Sequence, residues 1–249
     1  MESTQRFSDR VNDYVLYRPS YPIAVINTIL ENSTTKQNLV VADIGSGTGI
    51  SAKLFLEENC KVYGVEPNQN MQDAAINYLK EYTQFITINA TAIQTTIENH
   101  SCDIIVCAQA LHWFFNQVFV VEAKRILKPS GLIAIIWNDR DETKPFMQAY
   151  EKFIHQFSID YNQINHKNIK EEDVYQLFKD FEINYYTFSY QQIFDFEGLL
   201  GRVTSCSYMP NQHHQNFAEM KNALQNLFNQ YQKQGKINFQ YQTTLYLCK

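Results

Sequence analysis

The sequence lacks any long apolar run. Its longest strongly apolar stretch, Leu132 to Trp137, is too short to span a bilayer. The residues Met1-Glu2-Ser3-Thr4-Gln5-Arg6 carry no signal-peptide pattern. These two absences predict a soluble, cytoplasmic protein with no membrane partner. Strong charge is missing too: 26 acidic against 21 basic residues leave a net charge of -5, with no like-charge run long enough for an interaction tail. That balance lacks the basic field that non-specific nucleic-acid binding needs, so no nucleic-acid partner is expected. Cysteine is sparse and odd in number. Cys60, Cys102, Cys107, Cys206 and Cys248 form no C-x-x-C pair, which argues against a disulfide framework and against a zinc site. They read as buried, reduced thiols. The histidines show no H-E-x-x-H spacing, and the adjacent His213 and His214 would point apart on a helix, so no metal is expected. What remains is an ordinary globular composition, 45% hydrophobic and 19% charged over 249 residues, enough for an α/β domain with a substantial core.

From Leu39 to Asn138 short apolar runs alternate with helical patterns. Strands are predicted at Leu39–Ile44, Lys61–Glu66, Phe85–Ala90, Cys102–Ala108 and Gly131–Asn138. Helices are predicted near Ile50–Glu58, Gln69–Tyr82 and Gln117–Leu127. Such alternation implies a parallel sheet with helices on both faces. The strands are nearly continuous apolar runs, as strands covered on both faces should be. Ahead of the sheet, Phe7, Val11, Tyr14 and Val15 follow helical spacing. Tyr17-Arg18-Pro19-Ser20-Tyr21-Pro22 then leads into a helix reaching about Leu30, with Pro22 in its first turn. After Asn138, helices are expected at Pro145–Ser158, Lys167–Lys179, Asp195–Ser207 and Gln212–Gln234, the last stopped by Gly235. Phe181–Phe194 looks extended, and Lys236–Cys248 alternates like a strand. The expected fold is therefore α/β and Rossmann-like: a mostly parallel seven-stranded sheet with helices on both faces and a helical cap. One domain over 1–249 is expected, with a lid and helix at 1–35, a core at 36–140, and the cap and late strands at 141–249.

The strongest local signal is Val40-Val41-Ala42-Asp43-Ile44-Gly45-Ser46-Gly47-Thr48-Gly49. A buried strand ends in an acidic residue, then glycines at alternate positions, then a helix. Such a turn needs unusual φ values and lets a ligand approach bare backbone. The helix start also offers N–H groups to an anionic ligand group. A dinucleotide fingerprint would place its third glycine where Ile50 stands. Asp43 would repel a pyrophosphate, whereas it would attract a cationic amino acid or sulfonium. About twenty residues on, Val62-Tyr63-Gly64-Val65-Glu66-Pro67 ends a strand in a carboxylate, a spacing suited to ribose hydroxyls. Pro67 and Met71 follow where an adenine could pack.

Asp43 to Gly49 together with Glu66 resembles the cofactor motifs of class I S-adenosylmethionine-dependent methyltransferases. Nearly the whole chain is similar to the small-molecule, methyltransferase type 11 group that includes trans-aconitate methyltransferase-like proteins. The closer likeness rests on the leader Tyr17 to Pro22, on Gln109-Ala110-Leu111-His112-Trp113-Phe114, and on the segment from Gly201 to Pro210. The resemblance implies that S-adenosylmethionine is the cofactor and S-adenosylhomocysteine its product. It implies cofactor contacts at Tyr14, Arg18, Asp43, Gly45, Ser46, Gly47, Thr48, Gly49, Glu66, Pro67, Met71, Ala92, Ile93 and Gln109. It places Tyr17, Trp113, Phe114, Arg140, Arg202 and Tyr208 around the acceptor, and offers His112 as the catalytic candidate. Two positions depart from the group's pattern. Ile93 stands where an acidic residue is usual, which weakens a side-chain contact to adenine. Pro129-Ser130-Gly131 replaces Pro-Gly-Gly.

The implied function is methyl transfer to a small-molecule acceptor, with a carboxylate favoured. Such an acceptor needs no general base, whereas a hydroxyl or protonated amine does. His112 reads equally well as a base, a substrate donor or a structural imidazole. If Arg140 or Arg202 faces the pocket, an anionic acceptor is the better reading. Two alternatives stay open: a methyltransferase acting on protein or tRNA, and a non-catalytic cofactor-binding protein. The Asn-Pro-Pro-Tyr type of motif of amino-methylating nucleic-acid enzymes is absent after the fourth strand.

Overall fold

The computed structural model describes residues 17–159, 161 and 169–249. The helical pattern of Phe7, Val11, Tyr14 and Val15 lies outside the described residues. Helix α1 (Ile23–Asn32) buries Val25, Ile26 and Ile29. Strand β1 (Val40–Ile44) leads through the glycine loop into α2 (Ile50–Glu57). Strand β2 (Lys61–Val65) is followed by α3 (Gln69–Tyr78), and β3 (Phe85–Ile88) precedes β4 (Cys102–Ala108). Asn68 and Asn116 cap α3 and α4 (Gln117–Ile126), each side chain accepting an N–H of the first turn. The longest strand, β5 (Leu127–Arg140), precedes α5 (Pro145–Phe157) and α6 (Glu171–Leu177). The chain closes with β6 (Ile183–Phe194), α7 (Phe196–Thr204), α8 (Phe217–Tyr231) and β7 (Ile237–Cys248).

The seven strands form one sheet in the order β3-β2-β1-β4-β5-β7-β6. The pairings from β3 through β5 are parallel, but β7 runs antiparallel to both β5 and β6. The sheet is therefore mixed rather than simply parallel. The β6 and β7 segments read as strands in sequence, but their direction follows from which neighbours they reach. Strand alternation divides the core. Ala42, Ile105, Ile133 and Ile135 face α4, while Val41, Ile104, Ala134 and Ile136 face α1 and α2. A third cluster joins α5, α7 and α8 over Phe239 and Tyr241 of β7, and this is the helical cap.

Several boundaries differ from expectation. The Pro129-Ser130-Gly131 segment is no turn before a strand but an irregular stretch within β5. Cys102 pairs with Leu127 while Ile104 pairs with Leu132, so extra residues bulge out between them. Helix α8 stops at Tyr231, ahead of Gly235. That glycine, at φ 75°, instead lies in the connection before β7, where Lys233 and Lys236 bridge. Of the predicted helix at Lys167–Lys179, whose first two residues lie outside the described ones, α6 spans Glu171–Leu177, and its first turn carries Glu171, Glu172 and Asp173. All five cysteines are buried, and none is joined in a disulfide. Among the described residues no helix is long and apolar enough to cross a membrane, and no cluster has the makings of a metal site.

Candidate functional site

The carboxyl ends of the parallel strands open into one cavity of about 430 Å³. This is within the ~300–1,000 Å³ usual for small-molecule sites. The glycine loop forms one wall. Gly45, Gly47 and Gly49 all have positive φ, at 71°, 53° and 83°, which L-residues with side chains adopt at a cost. At Gly45 the need is doubled, because a Cβ there would sit 2.7 Å from the Cβ of Ala110. A Cβ on Gly47 would meet nothing within 4 Å.

The loop's amides are mostly spent within the protein. Gly45 and Ser46 donate to the Val65 carbonyl, Gly49 donates to the Ser46 carbonyl, and Gly47 donates to Glu66 Oε2 at 3.1 Å. At the helix start, which was expected to offer its N–H groups, the Ala52 amide goes to Asp43. Glu66 is half-buried and braced on both oxygens, since its Oε1 accepts the Asn68 amide at 2.9 Å. Each oxygen keeps a lone pair for a ligand hydroxyl. Burial pushes the Glu66 carboxyl up, and the Asn68 and Gly47 amides pull against that shift.

Asp43 departs from its expected place. It is fully buried beneath the loop, does not line the cavity, and its Oδ2 accepts the Ser51 hydroxyl at 2.6 Å. Burial pushes its pKa up to about 7, against the pull of Ser51 and the Ala52 amide and with help from the Glu66 charge. Gly49 is likewise off the cavity: it is the N-cap of α2 and packs on Leu79. Tyr17, expected in the acceptor pocket, instead lies against Gly201 and is absent from the cavity wall. Tyr14 is outside the described residues.

The other predicted residues converge. Ser46 and Thr48 join the loop wall, and the Thr48 hydroxyl is buried without a partner among the described residues. Pro67, Met71, Ala92 and Ile93 line the stretch beyond Glu66. Gln109 has a left-handed backbone (φ 55°) and donates Nε2 to the Asn138 carbonyl at 3.1 Å. Such strain persists where the surroundings over-determine it. His112 and Trp113, on a short 3₁₀ turn with ring centroids 4.8 Å apart, and Phe114 flank the opening. Arg18 lines the same space and donates to the Ser205 carbonyl at 3.0 Å.

The cap end carries buried guanidinium groups. Arg140 forms an ion pair with Glu151 of α5 at 2.6 Å, donates to the Tyr161 hydroxyl, and reaches the Tyr208 hydroxyl at 3.4 Å. Arg202 is 4% exposed and lines the cavity. It donates Nε to the Tyr241 hydroxyl at 3.1 Å and Nη1 to Cys206 Sγ at 2.9 Å. Asn68, Asn138, Tyr161 and Tyr241 also line the cavity and were not singled out from sequence. Asn68 had a signal, a capping residue just after Pro67. Asn138 lies near the carboxyl end of β5, where ligands of such sheets bind. Tyr161 and Tyr241 carry no local signal, because the cap's packing alone brings them inward.

Residues 42–135 match the family described as Methyltransferase domain. They form a class I S-adenosylmethionine-dependent methyltransferase domain. An uncharacterized methyltransferase-like protein of Schizosaccharomyces pombe is 28% identical over 155 residues, covering 62% of this chain and 59% of that protein. An uncharacterized methyltransferase of Mycobacterium tuberculosis is 32% identical over 136 residues, covering 55% and 53%. The chain thus spans little more than half the length of these relatives. The fold is also that of a Haemonchus contortus phosphoethanolamine N-methyltransferase solved with S-adenosylhomocysteine. The TM-score is 0.59 at 14% identity, over 100% of this chain and 60% of that one. The methyltransferase domain's observed elements fit the donor it takes. They offer a paired-acceptor carboxylate at Glu66, an orphaned hydroxyl at Thr48 and a glycine facing open space at Gly47.

Proposed function

We propose that the whole chain transfers the methyl group of S-adenosylmethionine to a small anionic molecule, with a carboxylate as the accepting group. The observation that carries this reading is a single cavity with a braced carboxylate at one end and the buried Arg202 guanidinium at the other. When bound, S-adenosylmethionine supplies a methyl carbon already activated for in-line displacement. The protein's share is alignment and exclusion of water, which can be worth about 7–11 kcal/mol.

In this reading Glu66 accepts both ribose hydroxyls, and Pro67, Met71, Ala92 and Ile93 hold the adenine. Arg18 pairs with the methionine carboxylate through its planar fork. Gln109, held by Asn138, fixes the methionine end. Arg140 is already neutralised by Glu151, so it positions Tyr161 and Tyr208 more than it binds anions. Arg202 has no such carboxylate among the described residues and is the better anchor for the acceptor. His112 and Trp113 face the reacting carbon, and a carboxylate acceptor asks no proton removal of His112.

Labelled S-adenosylmethionine added to a metabolite extract, followed by mass spectrometry, tests the reading. The expected product is a labelled methyl ester of a small acid. Label only in protein or RNA, or none at all, would overturn it. The site map has its own test. Glu66→Ala should weaken S-adenosylmethionine binding by about 10–100-fold, since a hydrogen bond to a charged group is worth ~1.5–3 kcal/mol. Unchanged affinity by calorimetry in a folded variant would rule out the ribose role.

A further inference from the structure

Arg202 can only donate hydrogen bonds, and that fixes the direction of every bond around it. It is buried on α7 and borders the cavity. Its guanidinium carbon lies 5.5 Å from the centre of the Phe239 ring. Nη1 reaches Cys206 Sγ at 2.9 Å, and the Cys206 thiol in turn donates to the Arg202 carbonyl at 3.6 Å. Nε goes to the Tyr241 hydroxyl at 3.1 Å. The Tyr241 oxygen is therefore an acceptor on that side, and its proton must point elsewhere. It goes to Gln192 Oε1 at 2.9 Å. The Gln192 amide is thereby oriented too. With its oxygen on Tyr241, its Nε2 faces the leader and donates to the Tyr17 carbonyl at 3.4 Å. Strand register explains the reach. Gln192 of β6 pairs with Phe239 of β7, so Tyr241, two residues on, is its diagonal neighbour on the same face. Gln192 itself does not line the cavity.

We propose that Gln192 is a positioning residue for Arg202: by taking the Tyr241 proton it turns the Tyr241 oxygen to the guanidinium and holds that cation at the cavity wall. Its use toward the acceptor rests on the function proposed above; the positioning itself does not. Every partner in this chain of bonds is neutral, so the Arg202 charge is left for a ligand. Nη2 makes no hydrogen bond to a described residue, and it is the edge that the arrangement leaves for an anion. A hydroxyl that both donates and accepts is polarised by each partner, so each bond strengthens the other. Without Gln192 the proton of the buried Tyr241 hydroxyl must seek another acceptor. The lone pair turns away from Arg202 as it does so. The same amide ties the leader into the chain at Tyr17, next to the cavity-lining Arg18.

NMR of the protein alone, with its arginines isotope-labelled at nitrogen, reads the proposal without donor or acceptor. The Arg202 Nε–H signal is assigned by its contacts with the Phe239 ring and by its loss in Arg202→Lys. In Gln192→Leu its exchange with solvent should be about 3–10-fold faster than in wild type, the worth of one ordinary hydrogen bond. Tyr241→Phe, which removes the acceptor itself, should speed exchange at least as much. Gln192→Glu keeps an oxygen for the Tyr241 proton and should hold the wild-type rate, a rescue that filling the space alone cannot give. Equal rates in wild type and Gln192→Leu, or a Gln192→Glu rate as fast as that of Gln192→Leu, would overturn the proposal. A signal that depends on Gln192 in this way, with no methyl ester in the labelled extract, would uphold the positioning and sink only the acceptor reading, so the two failures are told apart.

Discussion

Replacing Asp43 with asparagine should flatten the stability profile of the ligand-free protein between pH about 4 and about 7. The sign follows from proton linkage. In the unfolded chain this carboxyl titrates near 3.8, and in the folded protein near 7. Between those values the folded state holds a proton that the unfolded state has released. Stability contributed by the neutral group is therefore fully present below about 3.8 and is lost as pH rises to about 7. Roughly three pKa units correspond to a loss on the order of 4 kcal/mol. Asparagine keeps an acceptor for the Ser51 hydroxyl but does not titrate. Urea unfolding of both proteins at about pH 4 and about pH 8 measures the difference, which cancels groups common to both. The Asp43→Asn variant should gain stability relative to wild type at the higher pH. Equal differences at the two pH values would show that folding leaves the Asp43 pKa unshifted. The shift also qualifies its role toward a cationic donor: the buried carboxyl offers full negative charge only above about pH 7 or once a cation draws its proton away.

Gly45→Ala should be far more damaging than Gly47→Ala. The φ of 71° costs a side-chain-bearing residue about 1–2 kcal/mol. The new methyl would also sit 2.7 Å from Ala110 Cβ, a backbone-fixed atom that cannot swing aside. Overpacking of that kind adds ~1–3 kcal/mol. Gly47→Ala shares the backbone cost, at φ 53°, but its methyl meets nothing within 4 Å. Thermal unfolding should lower the midpoint of Gly45→Ala by about 5–15 °C and that of Gly47→Ala by only a few degrees. Two variants of equal stability would mean that Ala110 yields, and that the loop is not pinned against the turn after β4.

The sequence disclosed what local pattern governs. Cys102–Ala108 is legible because it is apolar at every position but Asp103, as suits a strand covered on both faces. The alternating glycines marked their turn because each adopts positive φ. Pro67 and Met71 followed from their place after a strand end and Gln109 from the resemblance, and all three line the cavity. Sequence failed where the deciding partner lies far along the chain. Nothing local shows that two of the loop's amides go to the Val65 carbonyl, which belongs to the neighbouring strand. Arg140 favours an anionic acceptor only if it faces the pocket, and no local pattern shows that Glu151 of the cap already pairs with it. Arg202 is buried because α7 packs on β7, a contact with no local signature. Gly235 was read as a helix stop, yet α8 had already ended at Tyr231.

Tyr17 lies so close to the bare backbone of Gly201 that a Cβ there would sit 2.2 Å from its ring. Arg18 follows Tyr17 directly, and Arg202 follows Gly201. The leader that carries one cavity-lining arginine and the helix that carries another are thus seated on one another, so a side chain at position 201 would push both out of place.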